Sequence, residues 1–180
     1  KYGLPQYYDQ NGKSSKRTIM KTPINGARIS SRYGNRKHPI LGYTKMHRGL
    51  DFAAPTGTPV FAAGDGIIEK AGWNGSYGRY IRIRHTSTYK TAYAHLSGIK
   101  KNIRVGKRVF QGKTIGYVGS SGRSTGPHLH YEVLKNNRQV NPMKIKLPAG
   151  KNIPKKYIAV YKSYIKKIIN QKFALEKSIK

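Results

Sequence analysis

Short runs in which apolar and polar residues alternate recur through the middle of the chain. They are rich in Val, Ile and Tyr and include TPVFAA, GIIEKAG, YIRIRHTS, KTAYAHLS, KTIGYVG and HLHYEVLK. A period of two is typical of strands that bury one face, and the intervening Gly, Asn, Asp and Ser residues favour turns. We therefore predict an all-β domain over residues 27–147, built as an antiparallel β-sheet or sandwich.

Turn residues divide this pattern further. Asp65-Gly66 and Asn136-Asn137 stand where tight turns would join antiparallel strands. An Asn11-Gly12 pair lies between two mixed stretches and predicts a hairpin in residues 1–26. We interpret this N-terminal hairpin as the tail of a missing upstream domain.

The last segment, residues 148–180, has a helical period. Its apolar residues on one helical face are Ile158, Tyr161, Ile165, Ile168 and Ile169. Lysines surround that face, and Pro154 suits the first position of a helix. The segment predicts a basic amphipathic helix, which either docks on the β domain or contacts an anionic membrane surface.

The composition adds a strong positive charge. Lys and Arg number 36 against 6 Asp and Glu, which gives a formal net charge of +30. Such a field attracts polyanions, although the lysine content would also follow from codon bias. Nucleic acid is the disfavoured partner, because the basic residues are spread along the chain instead of clustering beside aromatic residues. The chain has no cysteine, so metal ligands must come from His, Asp and Glu.

Two histidines stand one residue apart in STGPHLHYEV. In an extended strand His128 and His130 point to the same face, with Cα atoms roughly 6.6 Å apart. Neutral imidazole is the commonest protein ligand for metals, so this pair predicts two groups that flank one ion. Glu132 lies on the same face and stays a candidate ligand by parity.

A second candidate is the His-x-x-x-Asp pair in MHRGLDF, formed by His47 and Asp51. A fully extended chain would separate these residues by about 13 Å, too far for two ligands of one ion. Either a bend at Gly49 or a helical turn would bring them together. Leu50 and Phe52 flank the aspartate, which predicts an acid at the rim of a β core.

The remaining histidines divide by context. His95, in TAYAHLS, is placed at the end of a strand and predicts a second layer of imidazoles around the metal. His85 alternates with Ile81 and Ile83 in IRIRHTS, so we expect it to pack in the sheet.

Four motifs in register resemble the lysostaphin or LytM-type zinc metallopeptidases. They are HRGLD from His47, GTPVFAAGDG from Gly57, YAHLS around His95 and GRSTGPHLHYE from Gly122. The resemblance runs from about residue 26 to residue 143. It implies one Zn²⁺ held by His47, Asp51 and His130, with water at the open fourth position. His95 and His128 would flank the ion as catalytic residues, and which of them is the base stays open.

The stretch KTPINGARISSRYGNRKHPILGYTKMHRGLDFAAPTGTP is similar to Gram-negative DD-endopeptidases that hydrolyse the bond between D-alanine and meso-diaminopimelate. The resemblance implies cleavage of peptidoglycan peptide stems by a zinc-activated water. It also implies a cell-envelope location, in the periplasm, with export or anchoring through a missing N-terminal segment. A regulatory domain or an inhibitor protein would be a further partner.

Two points stay open beside this function. Arg32 and Arg36 precede the first ligand and are candidates to bind substrate carboxylates, since a guanidinium matches a carboxylate bidentately. The alternative function is a non-catalytic LytM-type regulator that binds or activates another cell-wall hydrolase. Because all ligand and flanking histidine positions are filled, the sequence favours the enzyme.

Overall fold

A computed structural model describes residues 7–14, 18–37, 44–147, 150 and 152–178 of the chain. The chain separates into two compact units, one of residues 19–146 and one of residues 1–18 with 147–180. The three segments proposed from the sequence, 1–26, 27–147 and 148–180, stay a prediction about domain boundaries.

The larger unit is built from short strands. In chain order they are β1 (Arg28–Ser31), β2 (Gly34–Lys37), β3 (Thr44–His47), β4 (Leu50–Ala53), β5 (Pro59–Phe61), β6 (Gly66–Trp73), β7 (Arg79–Arg84), β8 (Tyr89–Ile99), β9 (Arg108–Val109), β10 (Thr114–Val118), β11 (His128–Lys135) and β12 (Arg138–Val140). A single 3₁₀ turn, Gly75–Tyr77, precedes β7 among the described residues.

Ten of these strands form one sheet, in which every described pairing is antiparallel. Its main order is β1-β4-β11-β8-β7-β6-β9, with β12 beside β11, and with β10 between β5 and β8. The strands β2 and β3 form a separate hairpin. The prediction of an antiparallel all-β domain followed by a C-terminal helix is confirmed.

One face of the central strands forms the core. Leu50 and Phe52 of β4 pack with Leu129 and Tyr131 of β11 and Tyr93 of β8, and none of the five is more than 1% exposed. Burying a side chain of this size contributes about 1.5–3 kcal/mol to stability. Because successive residues of a strand face opposite sides, the residues between these apolar ones line the other face of the sheet.

The predicted turn at Asn136-Asn137 is confirmed. Both residues have positive φ, 50° and 62°, as the two-residue turn between β11 and β12 requires. The prediction for Asp65-Gly66 is wrong, because β5 pairs with β10 whereas β6 pairs with β7 and β9. Gly66 instead permits a close approach, since a Cβ there would lie 2.4 Å from the carbonyl oxygen of Arg84.

The smaller unit contains the predicted C-terminal helix, α1 (Lys155–Ser178), which begins directly after Pro154. A tight turn at Asn11-Gly12 is also present, and residues 1–6 and 15–17 of the predicted hairpin lie outside the described residues. The Tyr161 hydroxyl donates to the Asp9 carbonyl, 3.1 Å away, so the helix packs on this turn. Among the described residues, no helix is long and apolar enough to cross a membrane.

His85 follows β7 and packs as the sequence predicts. Its Nδ1 donates to the Asp65 carbonyl at 2.8 Å, and its Nε2 lies 2.8 Å from the Thr91 hydroxyl. Burial lowers the pKa of His85, and the hydrogen bond to Asp65 offsets only part of that shift.

We expect His85→Asn to flatten the pH dependence of stability below about pH 6.5. The unfolded chain binds a proton at His85 with a pKa of about 6.5. The folded protein binds that proton only at lower pH, so the free energy of unfolding falls on acidification. The effect is bounded by about 1.4 kcal/mol per pH unit. Asparagine keeps a donor toward the Asp65 carbonyl. Urea unfolding of both proteins at several pH values measures the free energy of unfolding. Equal slopes of that free energy against pH in the two proteins would contradict the prediction.

Candidate metal centre

The pairing of β4 with β11 brings two candidate ligands together. Asp51 lies directly opposite His130, and two positions along the ladder Ala53 lies opposite His128. Antiparallel strands lie about 4.8 Å apart, so side chains that face the same side at paired positions meet. The core residues on either side of Asp51 therefore hold its carboxylate on the open face of the sheet.

His47 reaches the same point through a bend, not a helical turn. It ends β3, and the chain bends at Gly49 before β4 begins. A Cβ at Gly49 would lie 2.6 Å from Cε1 of His130. Glycine is thus needed here because the imidazole of His130 occupies the space that a side chain would fill.

The three predicted ligands converge on one point. The Nε2 atom of His47 lies 3.1 Å from Asp51 Oδ1 and 3.2 Å from His130 Nδ1, and the last two atoms are 2.8 Å apart. All three residues are at most 9% exposed. Together they offer one ligand atom each within 4.8 Å and could hold one metal ion. Two imidazole nitrogens and a carboxylate oxygen form a donor set that suits zinc.

Each imidazole of the candidate ligand cluster has its outer nitrogen held by a hydrogen bond. His47 Nδ1 donates to the Arg32 carbonyl at 2.8 Å, and His130 Nε2 donates to Glu132 Oε1 at 3.1 Å. Because a carbonyl or a carboxylate oxygen only accepts, these contacts place the proton on the outer nitrogen. In the neutral rings, the inner nitrogens His47 Nε2 and His130 Nδ1 then carry lone pairs that face the cluster.

His128 and His95 flank this cluster. Their ring centroids are 4.8 Å apart, and His128 Nε2 lies 3.8 Å from Asp51 Oδ1. The Nδ1 atoms donate to backbone carbonyls, His128 to Gly126 and His95 to Ser121, both at 2.8 Å. In the neutral rings Nε2 is therefore a proton acceptor.

The backbone at His95 is unusual for a strand. The strand β8 continues to Ile99, so the prediction that His95 ends a strand is wrong. The residue instead sits at an irregularity in the pairing with β7 and has a φ of 60°. Such a bulge changes the direction of a side chain. Here the redirected side chain is the imidazole of His95, which lies beside the cluster.

Burial, hydrogen bonds and neighbouring charges shift the pKa values of three residues at the site. Burial alone would raise the pKa of Asp51, but hydrogen bonds and charges from His130 and His47 hold that pKa far below its usual range. Burial would lower the pKa of His130, yet hydrogen bonds with Asp51 and Glu132 raise it to about 9. Burial lowers the pKa of His95 to about 4. Asp51 is thus ionised and His95 neutral at neutral pH.

A cavity of about 800 Å³ opens over the cluster. Arg48, Arg123 and Tyr77 are among the residues that line it. Two arginines were predicted from the sequence to bind substrate. The side chain of Arg32 is exposed and is not among the residues that line the cavity. Its backbone carbonyl accepts the hydrogen bond that orients His47. The side chain of Arg36 lies outside the described residues.

Sequence reasoning missed three residues at this site. Arg48 lies within the first ligand motif, so its proximity was available from the spacing. Arg123 and Tyr77 line the same cavity. The Arg123 amide donates to the Ser76 carbonyl at 2.8 Å, a contact between two loops that no local pattern indicates.

The chain is 47% identical over 148 residues to the peptidoglycan DD-endopeptidase ShyC of Vibrio cholerae serotype O1, covering 82% of this chain and 34% of that relative. It is similar to the crystal structure of a zinc-containing peptidase from Vibrio cholerae, with a TM-score of 0.68 and 38% identity over 79% of this chain and 47% of that one.

The catalytic domain of lysostaphin from Staphylococcus simulans also matches, with a TM-score of 0.59 and 36% identity over 66% of this chain and 91% of that domain. The antiparallel fold, the His-Asp-His cluster in an open groove and these similarities together identify the chain as a metallopeptidase. The chain belongs to peptidase family M23, whose sequence profile matches residues 45–142. It spans about a third of the length of two curated relatives that it matches, the DD-endopeptidases ShyC and ShyA of Vibrio cholerae serotype O1.

The positive φ at residue 95 gives a stability prediction. We expect His95→Gly to be more stable than His95→Ala by about 0.5–1 kcal/mol, because alanine pays the left-handed penalty that glycine avoids. Both variants lose the same imidazole, so the pair isolates the backbone. Urea unfolding of the two variants measures the difference.

Exposed Arg84 in β7 has no positive φ and serves as the control position. There the order should reverse, with alanine the more stable residue by a similar amount. Alanine above glycine at both positions would mean that His95 carries no backbone strain.

Proposed function

We propose that this chain is a zinc endopeptidase that hydrolyses the peptide cross-links of peptidoglycan, at the bond between D-alanine and meso-diaminopimelate. The observation that carries the proposal is the convergence of His47, Asp51 and His130 beneath an open cavity with two further imidazoles beside them. Similarity to enzymes described as peptidoglycan DD-endopeptidases supports the substrate and the bond.

The proposed metal ligands are His47, Asp51 and His130. Three protein ligands beneath an open cavity are typical of a catalytic zinc site, in contrast to a closed structural one. When bound, zinc supplies Lewis-acid polarisation of the scissile carbonyl and activation of water. The residues of the chain supply the orientation, because the Arg32 carbonyl and Glu132 fix the ligating rings.

His95 and His128 are the proposed catalytic residues. Their Nδ1 protons are held by backbone carbonyls, so each ring presents Nε2 as an acceptor for the proton that the attacking water loses. The lowered pKa of His95 keeps that ring neutral at neutral pH and ready to accept. The proton can then pass to the amine that leaves, which requires no covalent nucleophile on the protein.

Arginines of the groove supply the proposed substrate contacts. The cross-link carries free carboxylates, and Arg48 and Arg123 line the cavity on the described part of the chain. A guanidinium binds a carboxylate bidentately, so these residues are better placed than Arg32 to hold a peptide stem. Arg36 stays a candidate from the sequence alone.

The proposed location is the cell envelope, in the periplasm, where peptidoglycan is accessible. A net charge of +30 would concentrate the protein on anionic envelope surfaces. Exposed Tyr157, Val160 and Tyr164 beside lysines of α1 support contact of this helix with an anionic membrane surface. A regulatory domain or an inhibitor protein is the further partner that restraint of such an activity would require.

Digestion of purified cross-linked peptidoglycan tests the function. We expect muropeptide dimers to become monomers, with the cleaved bond identified by mass spectrometry. Removal of metal with a chelator should stop the conversion, and added zinc should restore it, because in this proposal the metal supplies the Lewis acid. Asp51→Ala serves as the inactive control. Intact dimers after incubation with folded, zinc-loaded protein would refute the enzymatic proposal.

Replacing the two histidines of β11 one at a time should distinguish their roles. His130→Ala deletes a ligand, so we expect it to lose both zinc and activity. His128→Ala should retain about one equivalent of zinc but lose about 10²–10⁴-fold in kcat, the usual contribution of a general acid or base. Metal analysis and muropeptide release measure the two effects. Full zinc content in the His130 variant, or wild-type turnover in the His128 variant, would contradict these roles.

A further inference from the structure

Glu132 is a buried acid that contacts His130, one of the proposed metal ligands. It lies two residues after His130 on β11, on the same face of the strand, and is 2% exposed. Its Oε1 lies 3.1 Å from His130 Nε2, on the side of the ring away from Asp51. A carboxylate in such a position is costly to bury unless its hydrogen bonds are satisfied.

Two neighbouring side chains satisfy that requirement. The Tyr77 hydroxyl donates to Glu132 Oε1 at 2.9 Å, and the Gln139 amide donates to Oε2 at 3.4 Å. Tyr77 comes from the 3₁₀ turn before β7, and its ring lies 5.8 Å from that of His130. The carboxylate is thus held from two sides, so its Oε1 has a defined position against the imidazole.

The other imidazoles of the site are oriented differently. His47, His95 and His128 each donate to a backbone carbonyl. Backbone acceptors survive any side-chain substitution, whereas the acceptor for His130 is a side chain. Among the histidines described at this site, His130 is therefore the one whose orienting hydrogen bond is lost when a single side chain is replaced.

We propose that Glu132 is a positioning residue, held by Tyr77, that fixes the tautomer and orientation of His130 so that Nδ1 faces the metal. The inference rests on the zinc site proposed above. A carboxylate that accepts the outer proton of a ligating imidazole also increases the basicity of the ligand, and loss of such a partner costs about 10–100-fold in metal affinity.

Zinc affinity tests this role without any assay of catalysis. Apo-protein competes with a chromophoric chelator for zinc, and we expect Glu132→Ala to bind about 10–100-fold more weakly than the wild type. Glu132→Gln keeps an oxygen acceptor for His130 and should recover part of that loss. Glu69→Gln is the matched control, since Glu69 also lies in the sheet but pairs with Arg82, Arg84 and Lys90, and its affinity should be unchanged.

Two further measurements separate positioning from a general loss of structure. In ¹⁵N spectra of the zinc-loaded wild type, the His130 ring should carry its proton on Nε2, and Glu132→Ala should weaken or exchange that signal. Tyr77→Phe should lower zinc affinity by a smaller factor in the wild type and by almost nothing in the Glu132→Ala background, because Tyr77 acts through Glu132.

The outcomes distinguish this inference from the function on which it rests. A wild-type protein that binds no zinc overturns the proposed function itself. Wild-type zinc binding together with an affinity of folded Glu132→Ala within about threefold of it overturns only the role of Glu132. Additive effects of the Tyr77 and Glu132 replacements would overturn the contribution of Tyr77.

Discussion

The site depends on one constraint, which is that each imidazole in the groove must present a chosen nitrogen. A neutral histidine has one donor and one acceptor nitrogen, and the contact made by the outer nitrogen decides which of them faces inward. The fold provides an oxygen for each outer nitrogen: carbonyls of Arg32, Ser121 and Gly126, and the carboxylate of Glu132. The nitrogens that face the cluster, in the candidate ligands and in the two flanking imidazoles, follow from these contacts.

The sheet makes those contacts available by joining segments that are distant in the chain. Pairing of β4 with β11 sets Asp51 against His130, and pairing of β11 with β8 brings the His95 ring to 5.9 Å from that of His130. The apolar residues that alternate with the ligands pack on the core side, so burial of the core fixes which side chains face the groove. Packing and chemistry are thus settled by the same strand register.

Local patterns in the sequence were sufficient for the strands and for the parity of His128 and His130, because both depend on a period of two. They were insufficient where the cause lay far away in the chain. Asp65-Gly66 has the composition of a hairpin turn, yet the close approach of the Arg84 backbone explains the glycine. The position of Tyr77 beside Glu132 and the left-handed backbone at His95 arise from tertiary contacts that no local spacing reveals.

The separation of the ligands along the chain has a thermodynamic consequence. His47 and His130 are 83 residues apart, and their ring nitrogens meet at 3.2 Å only when β3, β4 and β11 are in place. An ion held between them binds the folded chain and not the unfolded one, so it acts as a reversible cross-link within the sheet. At a free concentration of about a thousand times Kd, such an ion adds about 4 kcal/mol to the free energy of unfolding. Depletion of metal would then remove activity and, by the same event, expose the chain to proteolysis.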